Sequence, residues 1–162
     1  MRALALVVVL FAATSPHAAA AEAARGLAGL TTIGVDVELD PSQTFSSAQL
    51  VRQIDSRLRT AAPALTIDPA SSSRLRFSVL VRPYSATALR GFWLPFSGTY
   101  GIGLVRLSVE RTAMVTGMSM PLLASVWRAE RQAAGPWRES PSEIARLLDE
   151  TLSDFLDAYH RR

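Results

Sequence analysis

Apolar and polar positions alternate between Thr32 and Asp40, with Ile33, Val35, Val37 and Leu39 set against Asp36, Glu38 and Asp40. A period of two predicts a strand with one buried face over 32–39, closed by Pro41. The period then changes. Ser46-Ser47-Ala48-Gln49 has the form of a capping box, and Leu50, Val51, Ile54 and Leu58 follow at helical spacing to about Ala61, where Pro63 stops the helix. Residues 64–67 read as a short strand or an extended lead-in, and 68–73 as a polar turn.

Alternation returns over Arg74–Arg82, with Leu75, Phe77, Val79 and Val81 on one face and Arg74, Arg76, Ser78 and Arg82 on the other. A third strand is predicted from Ile102 to Met114, its Val105, Leu107 and Val109 inward and its Arg106, Ser108 and Glu110 outward. A fourth covers Leu122 to Arg131, with Leu123 and Trp127 expected in the core and Arg128 and Glu130 in water. Gly117 and Pro121 suit the turn Val115–Pro121 to a hairpin. Gly135-Pro136 ends this run. Ser140-Pro141-Ser142-Glu143 is then a capping box with proline at the first helical position. Ile144, Leu147, Leu148, Thr151, Leu152, Phe155, Leu156 and Tyr159 form one stripe of a long helix, with Arg161 and Arg162 at the negative end of its dipole.

The order β-α-β-β-β-α, with one apolar face per element, predicts a two-layer α+β sandwich. Its sheet is expected to have about four strands, mainly antiparallel, with both helices on one face. This order resembles that of small αβ domains found in several bacterial envelope assembly proteins. The resemblance is architectural and assigns a role to no residue.

Ahead of the domain, Met1-Arg2 leads into the apolar run Ala3–Ala13, which Thr14, Ser15 and Pro16 break before the small residues Ala18–Ala21. This is the order of a secretory signal over 1–21, cleaved near Ala20 to Ala24, and the run is too short to span a bilayer. Residues 22–31 are expected as a loose leader and 32–162 as a single domain. The expected location is the periplasm or the extracellular space. The absence of cysteine excludes a lipoprotein anchor, disulfides and thiolate metal sites. All basic residues are arginine, and the formal charge is only +3, so no dense basic patch points to nucleic acid.

Composition and motifs leave little catalytic chemistry. There is no G-x-S-x-G elbow, Walker loop, H-E-x-x-H or dinucleotide fingerprint. Removal of the signal takes His17 with it and leaves His160, close to the C-terminus, as the one imidazole. Asp36, Glu38 and Asp40 at two-residue spacing raise carboxylate chemistry, but arginines on the same face make cross-strand ion pairs the simpler reading. Met114, Met118 and Met120 suggest Cu(I), or equally the filling of irregular apolar gaps. No cofactor or metal is expected. The least ordinary stretch is Tyr84–Gly101, too long for a hairpin turn, with Tyr84, Phe92, Trp93, Phe96 and Tyr100 as a candidate interaction loop. Those aromatics either dock on a partner or cap the domain's own core. The expectation is thus a non-enzymatic exported binding protein. It engages an envelope protein through that loop or a sheet edge, with a glycan, an apolar ligand or a membrane surface as the alternative occupant and a carboxylate-based hydrolase ranked last.

Overall fold

The computed structural model of the chain describes residues 25–39, 46–85, 99–114, 120–136 and 140–162. The elements are β1 (Thr32–Leu39), α1 (Ser47–Ala61), β2 (Thr66–Ile67), β3 (Ser73–Ser85), β4 (Thr99–Ala113), β5 (Leu122–Pro136) and α2 (Ser140–His160). The expected α+β class with two helices is what forms. The sheet differs from expectation in two respects. It has five strands, in the order β2-β1-β3-β4-β5, because Thr66 and Ile67 pair with Thr32 and Ile33. It is also mixed, since β1 runs parallel to both β2 and β3, while β3, β4 and β5 are antiparallel. The parallel pair follows from α1, because a helix between adjacent strands returns the chain to the same end of the sheet.

Each helix is placed by its apolar stripe. Ser46 caps α1, its hydroxyl accepting from the Gln49 N–H at 3.4 Å, and the Ala62 N–H closes the last turn on the Leu58 carbonyl at 2.8 Å. Leu50, Ile54 and Leu58 are buried against the sheet face that carries Ile33, Leu75, Phe77 and Val79. α1 lies against β1, α2 lies over β4 and β5, and the helices touch each other. On α2 all eight stripe residues are buried, including Thr151, whose hydroxyl donates to the Leu147 carbonyl at 2.9 Å. Phe155 meets Trp127 edge-to-face at 5.4 Å. Each large side chain buried this way contributes about 1.5–3 kcal/mol, which is what holds helices of this length.

Residues 25–31 are not a loose leader. Leu27 and Leu30 are fully buried in the core. The Arg111 guanidinium donates to the Ala28 carbonyl at 3.1 Å, and Arg162 donates to the Leu30 carbonyl. The segment is a strap across the end of the sheet. The expected signal over 1–21 lies outside the described residues.

One irregularity in β5 decides which of its side chains face the core. Val109 pairs with Trp127, but its neighbour Glu110 pairs with Ser125, so Val126 is an extra residue on β5. Such a bulge reverses which face each side chain takes beyond it. Trp127 therefore keeps its expected place in the core, and Leu123 does not: it is 62% exposed. The strap backs onto the bulge, where the backbone of Gly26 lies so close that a Cβ there would sit 3.0 Å from the Val126 carbonyl carbon.

Candidate functional site

β3 begins at Ser73, opposite Arg111, whereas β4 and β5 continue through the pairs Thr112↔Leu123 and Ala113↔Leu122. This end of the β4–β5 hairpin is therefore a two-stranded ribbon standing beyond the five-stranded sheet. Successive residues of a strand face opposite ways, so Leu122 and Leu123 present one large side chain to each face of the ribbon. They are 42% and 62% exposed, and the flanking Met114 and Met120 are 69% and 70% exposed. Leu80 is the one other exposed large apolar side chain among the described residues, and it lies elsewhere, on the outer sheet face opposite Leu104. Scattered exposed apolar residues are ordinary, but four at one tip form a patch of the kind that marks an interaction site.

The tip is uncharged, and its root is basic. No Asp, Glu, Lys or Arg occurs from Thr112 to Trp127, and Arg111 and Arg128 bound this run. Arg25 precedes the Gly26 contact with Val126 and is exposed. The Arg128 side chain is 59% exposed, lying 3.6 Å from Glu130. Glu110, the acid nearest the tip on the ribbon, faces Arg76 at 3.4 Å.

The residues singled out from sequence distribute as follows. Tyr84 and Tyr100 belong to strands, where they form a cross-strand pair next to Ser85↔Thr99, so the stretch 84–101 is partly hairpin rather than all loop. Phe92, Trp93 and Phe96 lie outside the described residues, as do Asp40 and Met118. Asp36 accepts from Arg74 Nε at 2.7 Å, and that hydrogen bond, reinforced by the charges of Arg74 and Arg76, holds its carboxyl below the usual range against the opposing effect of burial. The outer face of the sheet is an ion-pair ladder, continued by Arg106 Nε on Glu130 at 2.6 Å. Asp36 is thus a cross-strand partner and not one of a carboxylate pair. A ring nitrogen of His160 lies 3.0 Å from the Ala61 carbonyl, tying the end of α2 to the end of α1.

No protein-family model matches the chain, and comparison with curated proteins gives no match. Among solved structures the chain is similar to a minor lipoprotein from Acinetobacter baumannii, at 11% identity and TM-score 0.42 over 82% of this chain and 93% of that one. It is similar to the hypothetical protein CT253 from Chlamydia trachomatis, at 9% identity and TM-score 0.46 over 81% and 98%. A PelC dodecamer from Paraburkholderia phytofirmans matches at 17% identity and TM-score 0.44 over 78% and 87%. At these identities and scores the likenesses bear on neither partner nor activity.

Both sides of the sheet have open edge among the described residues: β2 pairs with β1 only at Thr32 and Ile33, which leaves the rest of β1 without an outer strand. β5 is an edge strand of 15 residues, with no strand outboard of it among the described residues. It is guarded, however, by the bulge at Val126 and by Arg131, which pairs with Asp154 of α2. Bulges and charges at such positions are how natural proteins discourage strand addition. Among the described residues the end of the ladder at Thr112↔Leu123 and Ala113↔Leu122 carries no such guard. Sequence reasoning placed Leu123 in the core and passed over Leu122. The signal that identifies them is the charge-free run of 112–127.

Proposed function

We propose that the chain is an exported, non-enzymatic interaction protein that docks on an apolar surface through the tip of its β4–β5 hairpin. One observation carries this reading: Met114, Met120, Leu122 and Leu123 stand exposed together on a ribbon that extends past the sheet. Two of the side chains that offered catalytic chemistry are engaged in holding the fold, Asp36 by Arg74 and His160 by the Ala61 carbonyl. Export rests on the tripartite signal over 1–21. The test is recovery of bound material from envelope extract by the wild type and by the double variant Leu122→Ser/Leu123→Ser. Both substituted side chains are exposed, so the variant keeps the fold, and the wild type should retain material that the variant loses. Equal recovery would remove the tip as the working surface.

The open β5 edge supports a second reading, addition of an extended partner segment as a sixth strand. It ranks below the first because the bulge and the Arg131–Asp154 pair obstruct that edge.

A further inference from the structure

We propose that the strand added at the open edge of β5 is the β5 of a second copy of this chain, giving a two-fold symmetric dimer with one continuous sheet. This inference rests on the second reading above, strand addition at β5, and does not involve the hairpin tip. Residues 127–131 pair with β4 on one side and have no strand on the other among the described residues. The bulge at Val126, with Gly26 against its backbone, ends this stretch on the side of the tip. A groove runs between the same stretch and α2, and the small Ala129 and Ala158 are among the residues that line it.

The charges on this edge select the partner. Two copies of one edge strand joined about a two-fold axis run antiparallel, and residues directly opposite each other share a face. The register is then fixed by the residue that sits on the axis. Arg128, Glu130 or Arg131 on the axis would set a charge against its own copy, which is destabilising. Trp127 on the axis would carry the pairing across the bulge, and Gln132 would put all three charged residues opposite uncharged ones. Ala129 on the axis places Arg128 opposite the partner's Glu130 and Glu130 opposite the partner's Arg128, all on the outer face. Side chains directly opposite start from Cβ atoms about 4.5–5.5 Å apart, closer than two residues along one strand at about 6.6 Å. Within one copy Arg128 reaches Glu130 only at 3.6 Å, because Glu130 already accepts from Arg106 Nε at 2.6 Å. The Arg128 and Glu130 side chains are 59% and 36% exposed, so both can turn toward a second copy. On the inner face Arg131 keeps its own Asp154 and stands opposite the partner's Trp127. Charges that discourage an arbitrary strand are thereby matched by a second copy.

Sedimentation equilibrium of the purified full chain is the test, with far-ultraviolet circular dichroism confirming that each variant keeps the fold. The pairing is short, so the wild type should dimerise with Kd on the order of 1–100 μM. Arg128→Glu and Glu130→Arg should each weaken self-association roughly 10- to 100-fold, since each sets like charges opposite at both symmetric positions. An equimolar mixture of these two variants should associate again, because each then presents the charge the other requires. Leu122→Ser/Leu123→Ser should dimerise like wild type. Wild type that stays monomeric across that concentration range, charge variants that dimerise as well as wild type, or a mixture that does not recover overturns the assignment. A dimer lost in the leucine variant is held by the tip and overturns it equally. Envelope extract separates the failure of the dimer from that of the edge: if the wild type is monomeric and Glu130→Arg loses bound material, β5 takes another protein's strand, and if it loses none, strand addition at β5 falls as well.

Discussion

Gly26 is the position at which the strap 25–31 presses on the β5 bulge, and replacing it with alanine tests whether that strap is part of the fold. The added Cβ would meet the Val126 carbonyl, oxygen first and carbon at 3.0 Å. Both atoms are backbone, held by the pairing of β5 with β4 on either side of the bulge, so no side chain can turn aside. The strap must shift outward, and it carries Leu27 and Leu30, both fully buried. Complete exposure of two leucines would forfeit about 3–6 kcal/mol of burial, an upper bound from which the chain entropy regained must be subtracted. A partial shift is in the range of other overpacking substitutions, about 1–3 kcal/mol. We expect Gly26→Ala to cost about 2 kcal/mol, which for a domain of this size lowers Tm by about 8 °C. Gly34→Ala is the matched control. Its Cβ would meet the Arg74 guanidinium, 2.8 Å from Cζ and 3.2 Å from Nε, which is the far end of a flexible side chain. It should cost less than about 1 kcal/mol. Thermal unfolding followed by circular dichroism compares the two. A Gly26→Ala variant melting within about 2 °C of wild type would refute the close approach at the bulge and the role given to the strap.

Three further outcomes are expected. Asp36 has its carboxyl pKa lowered, first by the hydrogen bond from Arg74, so its contribution is complete above its unfolded pKa and is lost as pH falls through the folded one; Asp36→Asn should therefore flatten the acid limb of a stability-against-pH curve below about pH 4 and lose stability only above it. An unchanged acid limb would sever that link. Tyr159→Phe removes a buried hydroxyl that has no hydrogen-bond partner among the described residues, and leaves the ring stacked on Phe155 at 6.0 Å and under Arg162 at 3.8 Å; denaturant unfolding should find it as stable as wild type or up to about 1 kcal/mol more so, and a loss of stability would mean that the hydroxyl is satisfied. Leu123→Ser should alter stability by less than about 0.5 kcal/mol while Trp127→Ala costs about 3–5 kcal/mol; comparable losses would place Leu123 back in the core.

The contrast between Leu123 and Trp127 also shows where sequence periodicity stops being informative. Strand β1 and the stripes of both helices were legible because each is a single uninterrupted period: the structure buries Leu50, Ile54, Leu58 and every stripe residue of α2, and leaves only Val51 of the expected α1 stripe half-buried. The parallel pairing of β1 with β3 was implied by the helix between them, yet no residue of either strand encodes its direction, and the two-residue β2 is too short to carry a period. The bulge is harder still, for Val126 looks like any other strand residue and acts only by being one too many against Val109 and Glu110. That single insertion changes the face of every β5 residue before it. Alternation counted back from Trp127 puts Leu123 in the core, and the inserted residue puts it in solvent beside Met120 and Met114. A core strand requires charged residues on its outer face to stay soluble, as β3 and β4 have with Arg74, Arg76, Arg106 and Glu110; the run from Thr112 to Trp127 has none on either face. A strand end without a charged face is what a periodicity count does not record, and it is the property of the chain on which the proposed role of the hairpin end rests.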